Sequence, residues 1–177
     1  MNRDEDKEII NNIPKEKIPD LIFMHLRNLW SVDGLYFLEI EEKYGTEIAT
    51  KIDKNVWKVM GKIEARRLKK LFDIKDNDLS SLLKCLRLSG WALDLEDKEI
   101  IKKNDRVIIQ NSVCRVQNTR LQKGLSEFPC KKVRWVFLKS FAKEINPNIE
   151  VICKLCPPDK HNDTIWCKWE FKISTSN

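Results

Sequence analysis

The chain contains 177 residues, a length typical of one domain that buries a core without disulfides. Its 33 Lys and Arg residues exceed its 27 Asp and Glu residues by only six, an excess too small to indicate a nucleic-acid partner. No apolar segment follows the polar N-terminus MNRDEDKEIINN, and no apolar run approaches the ~18 residues that a membrane span needs. We therefore expect a cytoplasmic protein with reduced thiols, no membrane partner and no nucleic-acid partner.

The first half of the sequence has the hydrophobic periodicity of helices. We expect residues 1–15 to form a disordered or frayed N-terminus and residues 16–177 to form a single domain. Gly45 is the expected end of the second helix, because glycine is preferred just past a helix C-terminus. The predicted helices are 19–30, 32–44, 47–72 and 79–88, and the last three have Ser31, Thr46 and Asp78 as N-cap residues.

The second half mixes strands and helices. Trp91, Leu93 and Leu95 occupy alternate positions, which predicts a strand, and the alternation around residues 107–109 predicts another. Helices are predicted at 115–125 and 131–145, and two strands at 149–153 and 165–173 close the chain. This order predicts an α+β fold in which N-terminal helices pack on a small antiparallel sheet.

Three cysteines lie close together near the C-terminus, in a segment that begins CKLCPPDKHNDTIWC. If the last two strands form a hairpin, Cys153 and Cys167 face each other and Cys156 lies in the loop between them. Three thiolates at one point favour zinc, which binds structural sites through four tetrahedral ligands. Cys130 is the preferred fourth ligand, because a helix begins beside it and favours the thiolate; His161 and Cys114 are the alternatives. A redox dithiol and inert thiols remain the competing interpretations.

Four segments together resemble an uncharacterised prokaryotic family akin to the 4-vinyl reductase domain and to amino-thiazoline-carboxylate hydrolase-like proteins. They read RNLWSVDGLYFLEIEEKYG, VWKVMGKIEARRL, CRVQNTRLQKGLSEFPCKKV and CKLCPPDKHNDTIWCKWEF, and the resemblance covers roughly residues 25–173. It implies a ligand-binding fold like that of haem-nitric-oxide-binding and Golgi-transport components. Related sensor domains hold zinc with three cysteines and one glutamate. The implied metal ligands here are Cys130, Cys156 and Cys167, with Cys153 in place of the glutamate.

The resemblance also implies an apolar pocket between the helices and the sheet. We expect a zinc-stabilised domain that holds a small apolar or carboxylate-bearing ligand. The hydrolase-like relatives make hydrolysis of a small cyclic substrate the alternative. A third interpretation is an interaction protein that uses the fold for dimerisation alone, as a homodimer. The candidate ligand-binding residues are Trp30, Asp33, Trp57, Cys114, Gln117 and Arg120.

Overall fold

A computed structural model describes residues 3–162 and 164–173 of the chain. The chain divides into two compact units, Met1–Tyr36 and Phe37–Asn177. The elements, with a short 3-10 turn at Lys15–Lys17, are α1 Arg3–Asn11, α2 Ile18–Leu71, α3 Leu79–Arg87, α4 Gly90–Asp94, β1 Lys98–Lys102, β2 Arg106–Asn111, α5 Arg115–Gln122, α6 Cys130–Ile145, β3 Ile149–Leu155 and β4 Cys167–Ile173. The predicted domain start at residue 16 stays a prediction. No helix within the described residues is both long and apolar enough to cross a membrane.

The predicted helices 19–30 and 32–44 form one continuous part of α2, so the N-cap predicted at Ser31 is wrong. The Ser31 hydroxyl donates a hydrogen bond to the carbonyl oxygen of Arg27, one turn earlier, at 2.8 Å. This bond satisfies the hydroxyl within a helix, and no cap is needed. The break predicted at Gly45 is present, because this glycine has φ +81° and ψ 161° inside the α2 range. Residues with a side chain rarely adopt that φ, so glycine is required there.

The strand predicted from Trp91, Leu93 and Leu95 is wrong, because these residues lie in or beside the short helix α4. Ser89 caps this helix through its hydroxyl oxygen, which accepts a hydrogen bond from the Ala92 amide at 3.2 Å. Trp91 and Ala92 are both buried although they are adjacent. A half-buried strand would point them to opposite sides, whereas a helix can bury both.

The four strands form one antiparallel sheet in the order β1-β2-β4-β3. The predicted hairpin of β3 and β4 is present, but Cys153 pairs with Trp169 across it, and Cys167 pairs with Asn111 of β2. Cys153 and Cys167 are therefore not opposite each other as predicted. The pairs from Ile149↔Ile173 to Cys153↔Trp169 are in unbroken register, and an irregularity follows only between Cys153 and Leu155. The α+β class with helices packed on a small antiparallel sheet is confirmed.

The core of the second unit lies between α6 and its neighbours. Phe137 and Phe141 of α6 are fully buried, and Phe137 meets the ring of Trp57 of α2 edge-on at 5.6 Å. Gly61 is a point of close approach between α2 and α6, because a Cβ there would lie 2.5 Å from the Phe137 carbonyl oxygen. The glycine therefore sets the distance between the two helices.

Replacing Gly61 by alanine is expected to force α2 and α6 apart, because the added methyl group meets backbone atoms that cannot rotate away. The free energy of unfolding should fall by about 1–3 kcal/mol in urea titrations. Gly34→Ala is the matched control, since no heavy atom lies within 4 Å of the Cβ position there. Equal stability of the two variants would show that Gly61 is not a contact point.

Candidate metal centre

The centre begins where α6 meets the loop between β3 and β4. Cys130 is the first residue of α6, and its side chain is hydrogen-bonded to that of Cys156, the residue after β3. The backbone holds the same junction, because the Lys131 amide donates to the Pro157 carbonyl oxygen at 2.8 Å. The Lys131 ammonium also pairs with both carboxylate oxygens of Asp159, at 2.8 and 2.9 Å. The two thiols are therefore positioned by backbone and side-chain bonds around them.

The two hydrogen-bonded thiols differ in their readiness to ionise. The hydrogen bond from Cys156 lowers the pKa of Cys130 to about 7, against the effect of burial, and the positive charge of Arg134 lowers it further. The same bond and burial raise the pKa of Cys156 above its ordinary value. Of the two thiols, Cys130 is therefore the one that ionises more readily. A helix N-terminus stabilises negative charge at that position.

Three further cysteines surround this pair. The side chains of Cys114, Cys153 and Cys167 each interact electrostatically with that of Cys130. Burial raises the pKa of Cys114 and of Cys153 to about 11, and it also raises that of Cys167. The fold thus collects five of the six cysteines into one cluster, and Cys85 is buried separately in α3. In the described residues, which include all six, no two cysteines form a disulfide.

Arg134 is the cation beside the cluster, and sequence reasoning missed it. It lies one helical turn after Cys130, to whose sulfur it donates a hydrogen bond. Its guanidinium carbon also lies over the rings of Trp57, Trp91 and Phe137, at 5.4, 5.7 and 5.1 Å. The spacing of four residues from Cys130 is the signal that places both side chains on one face of a helix.

Glu64 of α2 supplies a carboxylate to the same buried region. One of its oxygens accepts a hydrogen bond from the Gly90 amide at 2.7 Å. Burial raises the pKa of Glu64, whereas that hydrogen bond and the charge of Arg134 oppose the rise. The buried Arg134 guanidinium therefore interacts with two negative groups, the Glu64 carboxylate and the Cys130 thiolate. These interactions offset the cost of burying its positive charge among apolar side chains.

His161, the alternative metal ligand, has other partners. Its Nε2 atom lies 3.1 Å from a carboxylate oxygen of Glu127, and its Nδ1 atom lies 3.0 Å from the Asn162 carbonyl oxygen. Its ring packs against that of Trp166 with centroids 4.5 Å apart. Both nitrogens are therefore engaged, so a metal at His161 would have to displace one of these bonds.

The cluster is not a preformed metal cage. Within residues 3–162 and 164–173, no group of three or more His, Cys, Asp or Glu side chains is arranged to hold a metal ion. The zinc ion and its four predicted ligands therefore stay a prediction. The sulfur ligands suit zinc, but the described side chains are not arranged as a complete metal site.

The residues predicted to bind a ligand are distributed over both units. Trp30 and Asp33 belong to the first unit, and the other four belong to the second. Trp57 packs against Phe137 and Arg134, while Cys114 immediately precedes α5 in the cysteine cluster. The structure therefore assigns Trp57 and Cys114 to the surroundings of the candidate metal centre.

Gln117 and Arg120 of α5 are buried and bonded within the protein. The Gln117 amide exchanges two hydrogen bonds with the backbone of Phe128, at 2.8 and 2.9 Å. The Arg120 guanidinium forms two parallel bonds to the Glu41 carboxylate, at 2.8 and 2.9 Å, and a third to the Ser126 carbonyl oxygen. A ligand carboxylate would have to compete with Glu41 for this arginine.

A surface cleft of about 400 Å³ lies beside α6, away from the predicted pocket. The Trp135 indole forms one wall and donates a hydrogen bond to the Val151 carbonyl oxygen at 3.1 Å. The cleft is lined by Trp135, Lys139, Lys143, Pro147, Asn148, Ile149, Glu150 and Val151. None of these residues belongs to the cysteine cluster or to the predicted ligand site.

Comparison with known proteins identifies one family. The model of DUF6125, a family of unknown function, matches residues 11–173. No curated protein matches the chain. Neither comparison links the chain to the 4-vinyl reductase domain or to the hydrolase-like proteins. Of the expected resemblance, only the membership of an uncharacterised family is confirmed.

Removing Arg120 should destabilise the protein by about 3 kcal/mol, because Arg120→Met leaves the largely buried Glu41 carboxylate, whose side chain is 14% exposed, without its cation. The matched control is Arg66→Met, whose ion pair with Glu144 involves an arginine side chain that is 67% exposed; it should have little effect. Chemical denaturation at pH 7 measures both changes. Equal losses in the two variants would contradict a buried, structural role for Arg120.

The same pair predicts a pH dependence. The hydrogen bond from Arg120 lowers the pKa of Glu41 below its ordinary value, so the pair stabilises the fold at pH values above that ordinary value. This contribution is lost as the pH falls through the lowered pKa. Arg120→Met should therefore lose less stability than the parent between pH 6 and acidic pH. Parallel curves for the two proteins would contradict the coupling.

Proposed function

The chain belongs to the DUF6125 family, whose function is unknown, and we propose that it is a small-molecule-binding domain stabilised by a structural zinc ion. Cys130, Cys153, Cys156 and Cys167 are the proposed ligands. The observation that carries the metal proposal is the hydrogen-bonded pair Cys130–Cys156, with the other two thiols in electrostatic reach of Cys130. Such a set of thiols in a reducing compartment is more typical of a metal site than of disulfides.

The donor chemistry fits zinc. Four sulfur atoms at ~2.3 Å from a tetrahedral ion lie about 3.8 Å from one another. The Cys130–Cys156 pair is already joined by a side-chain hydrogen bond. Cys153 and Cys167 would have to turn toward it, because their present arrangement does not complete a site. Binding would release the protons that the raised pKa values retain.

The surroundings also fit a charged metal–thiolate group. Zinc with four thiolates carries a net charge of about −2, which is costly to bury without a compensating cation. Arg134 on one side and Lys131 on the other interact with these cysteines. Hydrogen bonds from such neighbours orient metal ligands and strengthen binding. Arg134 is thus proposed as a positioning residue for Cys130.

The position of the proposed ligands defines the role of the metal. They come from the start of α6, the end of β3 and the start of β4, which are far apart in sequence. Bound zinc would join these elements and supply folding free energy. A site closed by four thiolates has no coordination position for water, so it favours a structural role over hydrolysis. The hydrolase alternative and the apolar or carboxylate-bearing ligand stay predictions.

Loss of one ligand tests the structural role. Cys156→Ser should abolish zinc retention and lower the melting temperature by about 10 °C, because a metal joint between three elements is removed. Metal content per chain is measured by plasma emission after purification without chelators. Cys85→Ser is the matched control, since Cys85 is buried outside the cluster, and it should keep its zinc. A parent protein that is purified without zinc would reject the proposal.

The role of Arg134 has its own test. Arg134→Met keeps the aromatic surroundings filled but removes the charge and the hydrogen bond to Cys130, so zinc affinity should fall 10- to 100-fold. Arg134→Lys keeps the charge and should restore part of the affinity. Competition with a chromophoric chelator measures the affinities, and melting of the metal-free proteins checks the fold. An unchanged affinity in Arg134→Met would remove Arg134 from the site.

A further inference from the structure

The part of α2 that lies in the second unit after Gly45 has two apolar faces. One face is buried and includes Trp57, Gly61 and Ala65. On the opposite face, Ile48, Ile52, Val56 and Val59 expose between 42% and 56% of their surfaces. We call these four residues the α2 stripe. Exposed apolar side chains that continue along one helix face in this way are typical of an interaction surface.

The composition of the α2 stripe favours another helix as its occupant. Its residues are spaced by four, four and three positions, and Ile63 continues the pattern four positions later. This spacing is that of a seam between two packed helices, in which β-branched side chains fit into gaps of the facing helix. Helices that lie in a membrane surface instead present Trp, Phe or Leu, and the stripe consists of Ile and Val alone.

Charge along this part of the chain favours one orientation. Residues 62–70 carry five basic residues and one acidic residue, whereas residues 39–47 carry four glutamates and one lysine. A parallel copy would place each basic end beside another basic end. An antiparallel copy places each basic end near an acidic one, so the helix is electrostatically complementary to itself in that orientation.

We propose that the α2 stripe packs against the same stripe of a second copy of this chain in an antiparallel two-fold dimer. This arrangement places Ile48 opposite Ile63 of the partner subunit and Ile52 opposite Val59 of the partner subunit. The symmetry is closed, because one surface serves both subunits. Residues 46–71 extend about 39 Å at the helical rise of 1.5 Å per residue. Two such helices 8–10 Å apart bury on the order of 1,000 Å², the lower limit for a specific interface.

The dimer and the zinc proposal are independent. The α2 stripe contains none of the proposed metal ligands, and it faces away from Trp57, which contacts Arg134. The two proposals are therefore tested by separate measurements on the parent protein. Metal content tests the zinc proposal, and the oligomeric state before and after metal removal tests the dimer proposal.

Sedimentation velocity of the full chain tests the dimer. The parent is expected to sediment at twice the chain mass of 21.0 kDa at micromolar concentration. Ile52→Lys buries two unpaired ammonium groups at the interface and should raise the dimer dissociation constant by at least about 100-fold. Leu71→Lys is the control: Leu71 is 74% exposed on the same helix but off the stripe, and it should not change the constant. A monomeric parent, or equal effects of the two variants, would overturn the proposal.

The orientation has a separate readout. A photoreactive amino acid at position 48 should cross-link to peptides that contain Ile63 of the partner subunit. A cross-link between the two residues at position 48 would indicate a parallel pair and overturn the antiparallel arrangement. Vesicles of anionic phospholipid test the competing occupant. Binding of a monomeric parent to them, lost in Ile52→Lys, would assign the stripe to a lipid surface instead.

Discussion

The hydrogen bond between the side chains of Cys130 and Cys156 joins two elements of the second unit. Cys130 begins α6 and Cys156 directly follows β3, so the bond links the main core helix to the end of the sheet. The Lys131 amide and the Lys131–Asp159 ion pair hold the same junction. Because these bonds surround the two thiols on both sides, the local backbone has little freedom to separate them. A metal bound there would add to the existing contacts between α6 and the segment that follows β3.

The region next to this contact contains buried polar and charged groups, whose desolvation opposes folding. A buried guanidinium, a buried carboxylate and five thiols lie within an otherwise aromatic core. Arg134 is compensated by the thiolate of Cys130, by Glu64 and by the faces of three aromatic rings. Replacing such a network by packed apolar residues is often neutral or stabilising. The proposed ligation of a cation by the thiolates would give this network a role beyond stability.

Periodicity predicted most of the fold because most elements bury one face. The cap at Asp78 and the glycine break at Gly45 followed from local chemistry alone. The failures have physical causes. Ser31 hydrogen-bonds within a helix, and Trp91 alternates with small and charged residues inside a helix that is too short to show its period. The pairing of Cys153 with Trp169 depends on the register of β3 against β4, which alternation within each strand does not specify.

The candidate site was predictable in its cysteines but not in its neighbours. The spacing of Cys153 and Cys156 favours a metal site over a redox dithiol or inert thiols, and Cys130 was chosen because a helix begins beside it. Glu64 and Gly90 are 26 residues apart in sequence, so their contact with the region of Arg134 depends on tertiary packing. Gln117 and Arg120 have the residue types of a carboxylate site, yet Arg120 bonds to a glutamate of the protein. Sequence cannot distinguish an internal carboxylate from that of a ligand.

The most direct test is X-ray absorption at the zinc edge of protein purified without chelators. We expect a first coordination shell of four sulfur atoms at about 2.3 Å and no nitrogen or oxygen neighbour. A shell with one nitrogen would assign His161 in place of a cysteine and correct the ligand set. A shell of oxygen and nitrogen alone, or protein without bound zinc, would contradict the claim that this cysteine cluster is a metal centre.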